Sequence, residues 1–244
     1  MTYTLLMRLT GPMQAWGLQS RFSIRDTARE PTKSGVLGLV CAALGRPRAA
    51  PLDDLAALRM GVRVDREGQM RRDFHTAQDI VKASATIRPG KPIPASQRKN
   101  TEPSVRHYLA DAWFTIGLTS DNQMLLEEID QALGNPRWPL FLGRKAFPPG
   151  LPPRIMTEGG EAAGLVPAPL VAALTTFQDP LFTRHDEQPK SIRVVLDADV
   201  PRNGLQVVAE RMQPDQPVSF QPRRFLPREV LVGYIKPQSK HVSL

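Results

Sequence analysis

Cations recur at a spacing of four residues in the stretch MQAWGLQSRFSIRDTAREPTKSG, residues 13–35. Only two carboxylates, Asp26 and Glu30, lie among them. The four cations are Arg21, Arg25, Arg29 and Lys33. Guanidinium and ammonium groups donate hydrogen bonds to phosphate, and guanidinium can also stack on bases. The stretch is therefore either a solvated charged surface or a surface that holds a polyanion.

Two further segments have features that suit phosphate. The sequence PTKSG, residues 31–35, opens a predicted helix, and the first N–H groups of a helix attract anions. Lys33 and Ser34 would add a charge and a hydroxyl there. In the loop PLFLGRKAFPP, Gly143 allows close backbone approach and is followed by two cations, Arg144 and Lys145. A plain capped helix and a generic turn are the alternative interpretations.

Positive charge is concentrated in two blocks of this 244-residue chain, whose net charge is +8. Residues 1–50 contain 7 basic and 2 acidic side chains, and residues 71–108 contain 8 and 3. An arginine-rich composition can also reflect the base composition of a genome. If the two blocks meet on one face, they form the kind of groove that follows a phosphate backbone.

Motifs of other function classes are missing from the sequence. The four histidines are scattered, and the single cysteine, Cys41, has no partner at zinc spacing and cannot form an intrachain disulfide. No Walker loop, dinucleotide-binding loop or nucleophile elbow is present. The longest apolar run, residues 36–45, is too short to cross a bilayer. We therefore expect a cytoplasmic protein without membrane association, metal or cofactor.

Hydrophobic periodicity predicts the elements that position these residues. The predicted order is strand, helix, strand, strand, helix, at residues 3–10, 33–44, 59–65, 112–119 and 121–134. Thr32 or Ser34 should cap the first helix, and Gly45 should end it. A short fourth strand would follow residue 136. This order predicts an α+β fold with a modified ferredoxin-like, RNA-recognition-type domain.

An insertion of about forty residues separates the second and third predicted strands, which is too long for an ordinary hairpin connection. Its outer part, residues 82–108, carries six cations against Glu102 alone, so we expect a long projecting basic hairpin. A flexible, solvated arm is the alternative. Prolines and glycines predict a linker over residues 148–163. The predicted organisation is a domain over 1–147, this linker, and a β-rich region over 164–244.

In combination these segments resemble a known family. LLMRLTGPMQAWG (5–17), REPTKSGVLGLVCAALG (29–45), RDFHTAQ (72–78) and NPRWPLFLGRKAFPP (135–149) are similar to the Cas-five superfamily, in its type I-E Cascade (CasD) branch. The resemblance covers nearly the whole chain. It implies a non-catalytic subunit that caps the CRISPR Cascade complex and holds the repeat-derived 5′ handle of the CRISPR RNA for antiviral DNA interference. It also implies a hairpin thumb that contacts the backbone subunit CasC. The large subunit CasA would lie nearby, and the protein would meet target DNA only indirectly, through the complex.

The resemblance further implies roles for individual residues. Gln14 and Trp16 would hydrogen-bond to and stack on handle bases, with core packing as the alternative for Trp16. Arg106, at the base of the thumb, would contact RNA where the handle meets the spacer. His75 is interpreted as a structural histidine. Contacts with the RNA backbone are expected of Arg25, Arg29, Lys33, Ser34, Gly143, Arg144 and Lys145.

Two other function classes stay open. Type I-C relatives cleave repeat RNA without metal through tyrosine, lysine and histidine, and here His107 and Tyr108 would be the catalytic candidates, with Lys82 and Lys99 in the same insertion. The lysine–histidine pair of the type I-C pattern is missing at this place. The third class is a free-standing basic RNA-binding protein without assembly partners.

Overall fold

The computed structural model describes residues 1–18, 23–82, 84–85, 89–182 and 190–236. The strands are β1 (Tyr3–Thr10), β2 (Met13–Gln14), β3 (Ile24–Arg25), β4 (Arg59–Arg66), β5 (Gln69–Val81), β6 (Arg98–Ala110), β7 (Trp113–Ser120), β8 (Leu165–Val166), β9 (Ile192–Asp197), β10 (Gln206–Phe220) and β11 (Arg223–Ile235). The helices are α1 (Lys33–Leu44), α2 (Asp53–Ala56), α3 (Gln123–Gly134) and α4 (Leu170–Thr176), with a 3-10 turn at Ala95–Gln97. No helix within these ranges is long and apolar enough to cross a membrane.

A seven-stranded sheet in the order β10-β11-β9-β4-β7-β1-β8 forms the centre of the protein. Its strand pairs are antiparallel, and β1 pairs with β7 along its whole length, from Tyr3 opposite Ser120 to Thr10 opposite Trp113. Helices and antiparallel sheets are both present. The predicted α+β class is therefore confirmed.

Helix α1 begins and ends at the residues that its capping pattern predicts. The Thr32 hydroxyl accepts a hydrogen bond from the backbone N–H of Gly35, and Gly45 adopts a left-handed φ of 71° at the other end. Val36, Leu37 and Val40 are fully buried in the main core cluster. The helix therefore covers one face of the central sheet.

Strand β1 divides the hydrophobic core into two clusters, because successive side chains of a strand point to opposite faces. Leu5, Met7 and Leu9 belong to the larger cluster, which includes residues of α1 and α3. Leu6 belongs to a smaller cluster that includes Leu174 of α4. The central sheet is thus covered on both faces.

The C-terminal strands extend the central sheet. Val195 of β9 lies opposite Val62 of β4, and β11 pairs with the other edge of β9. Residues within the predicted linker run beside β1, where the backbone N–H of Arg8 donates to the carbonyl of Pro153 at 2.9 Å. The predicted separation into 1–147 and 164–244 is therefore corrected to one continuous sheet, since periodicity predicts strands but does not specify which strands pair.

A smaller sheet is built around the hairpin of β5 and β6, which are in register from Gln69 opposite Ala110 to Val81 opposite Arg98. The other edge of β6 pairs with β2 and, in parallel, with β3. The hairpin therefore begins thirteen residues before the predicted start at residue 82, at Gln69. Within the insertion, residues 83 and 86–88 lie outside the described ranges.

Candidate nucleic-acid interface

The register of three neighbouring strands brings Arg25, Arg106 and Asp73 into one row. Arg106 on β6 lies opposite Asp73 on β5, and on its other side it pairs with Arg25 on β3. Residues that pair across strands point to the same face of a sheet. The two arginines come from the two basic blocks of the sequence, so the fold brings those blocks together.

A loop after α3 adds a third arginine to this row. The Arg144 guanidinium donates to the backbone carbonyls of Arg25 and Asp26, at 3.4 and 3.3 Å. The same guanidinium lies 5.6 Å from the centroid of the Phe147 ring, and the Phe147 ring lies 6.0 Å from that of Tyr108. We refer to the surface formed by Arg25, Arg106 and Arg144 as the arginine face.

Gly143 allows this loop to lie against the chain after β2. Its φ is 88°, and a Cβ at this position would lie 1.7 Å from the carbonyl oxygen of Ala15. The loop is closed by a hydrogen bond from the backbone N–H of Leu142 to the carbonyl of Phe147, at 2.7 Å. Gly143 therefore positions the neighbouring Arg144 through a close contact of backbone with backbone.

The arginines of the arginine face act on one another as like charges. Burial lowers the pKa of Arg144, and the positive charges of Arg106 and Arg25 lower it further, whereas Asp26 and Asp73 act in the opposite direction. The three guanidinium groups thus gather positive charge on one face, and Asp26 and Asp73 are the carboxylates that act on Arg144 there. Such a cluster is suited to an anionic ligand, because a phosphate would supply the missing negative charge.

Two other residues predicted to contact phosphate, Arg29 and Lys145, lie outside the arginine face as defined above. Arg29 and Lys145 have exposed side chains that are accessible to a ligand. Arg29 directly precedes the buried Glu30, which pairs with Arg193 at 3.0 Å. Arg21, from the same regularly spaced series as Arg29, lies outside the described residues.

The prediction that Gln14 and Trp16 contact bases is wrong, because both side chains are buried. Gln14 is 0% exposed and Trp16 1%. The Gln14 amide donates to the carbonyls of Leu9 and Ala112, and its oxygen accepts a hydrogen bond from the Trp16 indole at 3.2 Å. The indole ring packs closely against Gly35. Core packing, the alternative for Trp16, is therefore the observed arrangement.

The prediction that the start of α1 holds phosphate is also wrong. The backbone N–H of Lys33 donates to the Asp215 carboxylate at 2.7 Å, and that of Gly35 donates to the Thr32 hydroxyl at 3.2 Å. The Lys33 ammonium is buried and pairs with Asp197 at 3.3 Å. Ser34 is half-buried beside it. The helix start is capped by the protein itself, so these N–H groups are not available to a ligand.

Lys33 belongs to a set of charges that we refer to as the buried ion network, formed with Asp197, Asp215 and Arg228. Arg228 donates to both carboxylates, and its contact with Asp215 measures 2.9 Å. Asp197 also accepts the backbone N–H of Met60 at 2.8 Å. Burial lowers the pKa of Lys33, an effect that the charge of Asp197 partly offsets. This network joins α1 to β4, β9 and the β10–β11 hairpin.

The candidate catalytic residues do not converge. His107 and Tyr108 occupy successive positions of the regular strand β6, so their side chains point to opposite faces. Lys82 donates to the carbonyl of Ser96, and Lys99 pairs with Glu102 at 2.7 Å. Within the described ranges, no group of three or more histidine, cysteine, aspartate or glutamate side chains is arranged to hold a metal ion.

Two residues at the site, Asp73 and Phe147, were not identified from the sequence. Asp73 lies opposite Arg106 only because of the β5–β6 register, and the Phe147 ring lies against the Arg144 guanidinium. No apolar–polar alternation marks strand β5, because three charged residues separate Met70 from Phe74. No local signal gives the register of that strand.

A fold of this kind, with a cationic surface at the base of an inserted hairpin, agrees with the comparisons to known proteins. The chain belongs to the family described as CRISPR-associated protein (Cas_Cas5), whose model matches residues 4–231. The family predicted from the sequence is thus confirmed. Among its relatives, the CRISPR system Cascade subunit CasD of Escherichia coli (strain K12) is 30% identical over 238 residues, covering 92% of this chain and 93% of that protein.

Solved structures agree with this assignment. One described as "Crystal structure of Cas protein" is 38% identical, with a TM-score of 0.70, and the match covers 97% of this chain and 98% of that one. A chain in a structure described as "CRISPR RNA-guided surveillance complex" is 31% identical, with a TM-score of 0.66, and the match covers 96% and 90%.

Proposed function

We propose that this protein is the CRISPR RNA-binding subunit of a Cascade-type surveillance complex in antiviral defence, and that the arginine face holds the repeat-derived 5′ handle of the RNA. The observation that carries the proposal is the convergence of Arg25, Arg106 and Arg144 on one face, where their positive charges act on one another. Planar guanidinium groups bind phosphate through paired hydrogen bonds, which fixes the path of a strand. Similarity to CasD supports the assignment to this complex.

In this proposal, the central sheet and its helices hold the arginine face in position. We interpret β1, α1, β4, β7, α3 and β8 as a ferredoxin-like domain of the RNA-recognition type, since their chain order matches the βαββαβ pattern. The β5–β6 hairpin is inserted between β4 and β7. The rigid central sheet would therefore hold the base of the hairpin, and the arginine face with it.

The hairpin is also our candidate for contacts with other subunits. On the face opposite the arginine face, the hairpin carries Phe74 at 66% and Met70 at 44% exposure, and the neighbouring strand β3 adds Ile24 at 60%. Exposed apolar patches are typical of protein–protein interfaces. We propose that the hairpin is the thumb that contacts CasC, that the protein caps the assembly close to CasA, and that target DNA is reached only through the complex. The single buried thiol of Cys41 suits the reducing cytoplasm in which we place it.

Handle RNA binding as a function of salt concentration tests the proposal. Replacing Arg106 and Arg144 together by alanine should weaken binding by at least about tenfold, since each loses hydrogen bonds to a charged group. Arg202→Ala is the matched control, because Arg202 is an exposed arginine paired with Glu210 at 3.1 Å. A scrambled RNA measures base discrimination. The proposal fails if the double variant binds handle RNA as tightly as the unchanged protein does.

Co-purification separates this proposal from a free-standing RNA-binding protein. A Cascade subunit should bring down partner subunits and a small RNA with uniform ends. A lone basic protein should bring down RNA of heterogeneous length and sequence, because its binding would rest on phosphate contacts alone.

We propose further that the protein holds the RNA without cleaving it. The separation of His107 and Tyr108 onto opposite faces of β6 supports this, since acid–base cleavage needs both groups at one phosphate. Repeat RNA incubated with the purified protein in EDTA should remain intact. Cleavage that His107→Ala abolishes would overturn this part of the proposal and favour the nuclease class.

A further inference from the structure

A histidine–aspartate pair lies on the arginine face beside the arginines. The Nε2 atom of His75 lies 2.5 Å from the Oδ2 atom of Asp73, and both side chains are partly exposed. Asp73 stands directly opposite Arg106 in the strand register. The Arg106 guanidinium nevertheless hydrogen-bonds to the Ser104 hydroxyl, at 3.1 Å. The carboxylate nearest in register is thus engaged by His75 and not by an arginine.

A carboxylate in this row competes with any anionic ligand. The charge of Asp73 already acts on Arg144, whose pKa it raises against the effect of the neighbouring arginines. A carboxylate that paired with Arg106 or Arg144 would neutralise part of the face, and a phosphate would have to displace it. Glu102, further along β6, is paired with Lys99 at 2.7 Å.

We infer that His75 is a positioning residue for RNA binding, whose imidazole ring holds the Asp73 carboxylate away from the arginine guanidinium groups and keeps the arginine face open to phosphate. This inference rests on the proposed function and adds to it. His75 acts through Asp73 and need not contact the RNA. Its sequence interpretation as a structural histidine accordingly changes to a role in the site.

Four variants test this role by measuring handle RNA affinity. His75→Ala should weaken binding about three- to fivefold, the size expected when one exposed charge gains a new partner. His75→Gln should retain the affinity, since its amide N–H can still bind Asp73. Asp73→Asn should bind at least as tightly as the unchanged protein. In the Asp73→Asn background, His75→Ala should have no effect, because no carboxylate remains to be held.

The double variant separates this role from a merely structural one. If His75→Ala costs as much affinity in the Asp73→Asn background as it does alone, or costs nothing when made alone, the inference is wrong. Unfolding by urea, measured for each variant, reports whether the hairpin variants remain folded. If Arg106→Ala and Arg144→Ala also leave the affinity unchanged, the proposed function fails as well. If only the arginine variants lose affinity, the proposed function stands and the inference alone is overturned.

Discussion

The buried ion network and the arginine face use the same kinds of side chain for different purposes. In the network, the side chains of Lys33 and Arg228 are buried beside the carboxylates of Asp197 and Asp215. On the arginine face, the guanidinium of Arg144 has other arginines as its strongest charged neighbours. The comparison shows that a cation stabilises the fold where carboxylates surround it, and is available to a ligand where other cations are its strongest charged neighbours.

Unpaired charge has a different free-energy cost in the buried ion network and on the arginine face. A buried charge costs several kcal/mol unless it is paired and hydrogen-bonded, so each member of the network depends on the others. Arginines gathered at a partly exposed surface repel one another only modestly in high dielectric, and a bound phosphate turns that repulsion into attraction. Changes in the network should therefore reduce the free energy of unfolding, and changes on the face should reduce RNA affinity.

The largest effect is expected for Asp197→Ala. It removes a carboxylate that accepts hydrogen bonds from Lys33, Met60 and Arg228, and it leaves a buried ammonium without its partner. The free energy of unfolding should fall by about 3–5 kcal/mol in urea titrations. Asp199→Ala, which breaks an exposed pair with Arg59, should cost less than about 1 kcal/mol. Equal costs for the two variants would contradict the structural role of the network.

Arg144→Ala should have the next largest effect, on RNA affinity and not on stability. The variant should bind handle RNA about ten- to one-hundredfold more weakly, since it loses charge-assisted hydrogen bonds. The slope of log affinity against log salt should become shallower by about 0.7 for each phosphate contact removed. An affinity loss accompanied by an equal loss of stability would instead indicate that Arg144 supports the fold.

Lys33→Met separates the two regions, because the sequence assigns Lys33 to the RNA-binding surface and the structure buries it. Stability should fall by about 1–2 kcal/mol as the partners of the ammonium lose a hydrogen bond. RNA affinity of the folded variant should be unchanged at all salt concentrations. A reduced salt slope in this variant would return Lys33 to the RNA-binding surface.

The smallest effect is expected for the exposed cations at the margin of the site. Lys145→Ala should weaken handle RNA binding by only about two- to fivefold, because an exposed ammonium is well screened by water and salt. The difference should disappear at high ionic strength, which a binding titration at two salt concentrations would show. A loss as large as that of Arg144→Ala would extend the arginine face to include Lys145.

Much of the fold could be predicted because its signals are local. Thr32 and Gly45 define helix α1 to the residue, and simple alternation identifies β1, β4 and β7. The strong local positive charge around Arg25, Arg106 and Arg144 likewise pointed to the surface on which they meet. Each of these signals depends on residues only a few positions apart.

The rest could not be predicted because it depends on distant partners. The carboxylates that bind Lys33 are 164 and 182 residues away in the chain, in strands whose pairing no local pattern specifies. Trp16 is buried because Gly35 of α1 allows the indole ring to pack closely. The cations near the start of α1 therefore predict a binding surface where the structure has the buried ion network. Trp16, which follows a strand, likewise resembles a base-stacking residue in the sequence but packs in the core.

An electron cryo-microscopy reconstruction of the RNA-loaded complex would show whether the RNA lies on the arginine face or at the start of α1. We expect RNA phosphate oxygens within about 3 Å of the Arg106 and Arg144 guanidinium groups, with Lys33 still paired to Asp197. RNA bound at the start of α1, with the arginine face left open to solvent, would show that the arginine face is not the RNA-binding surface.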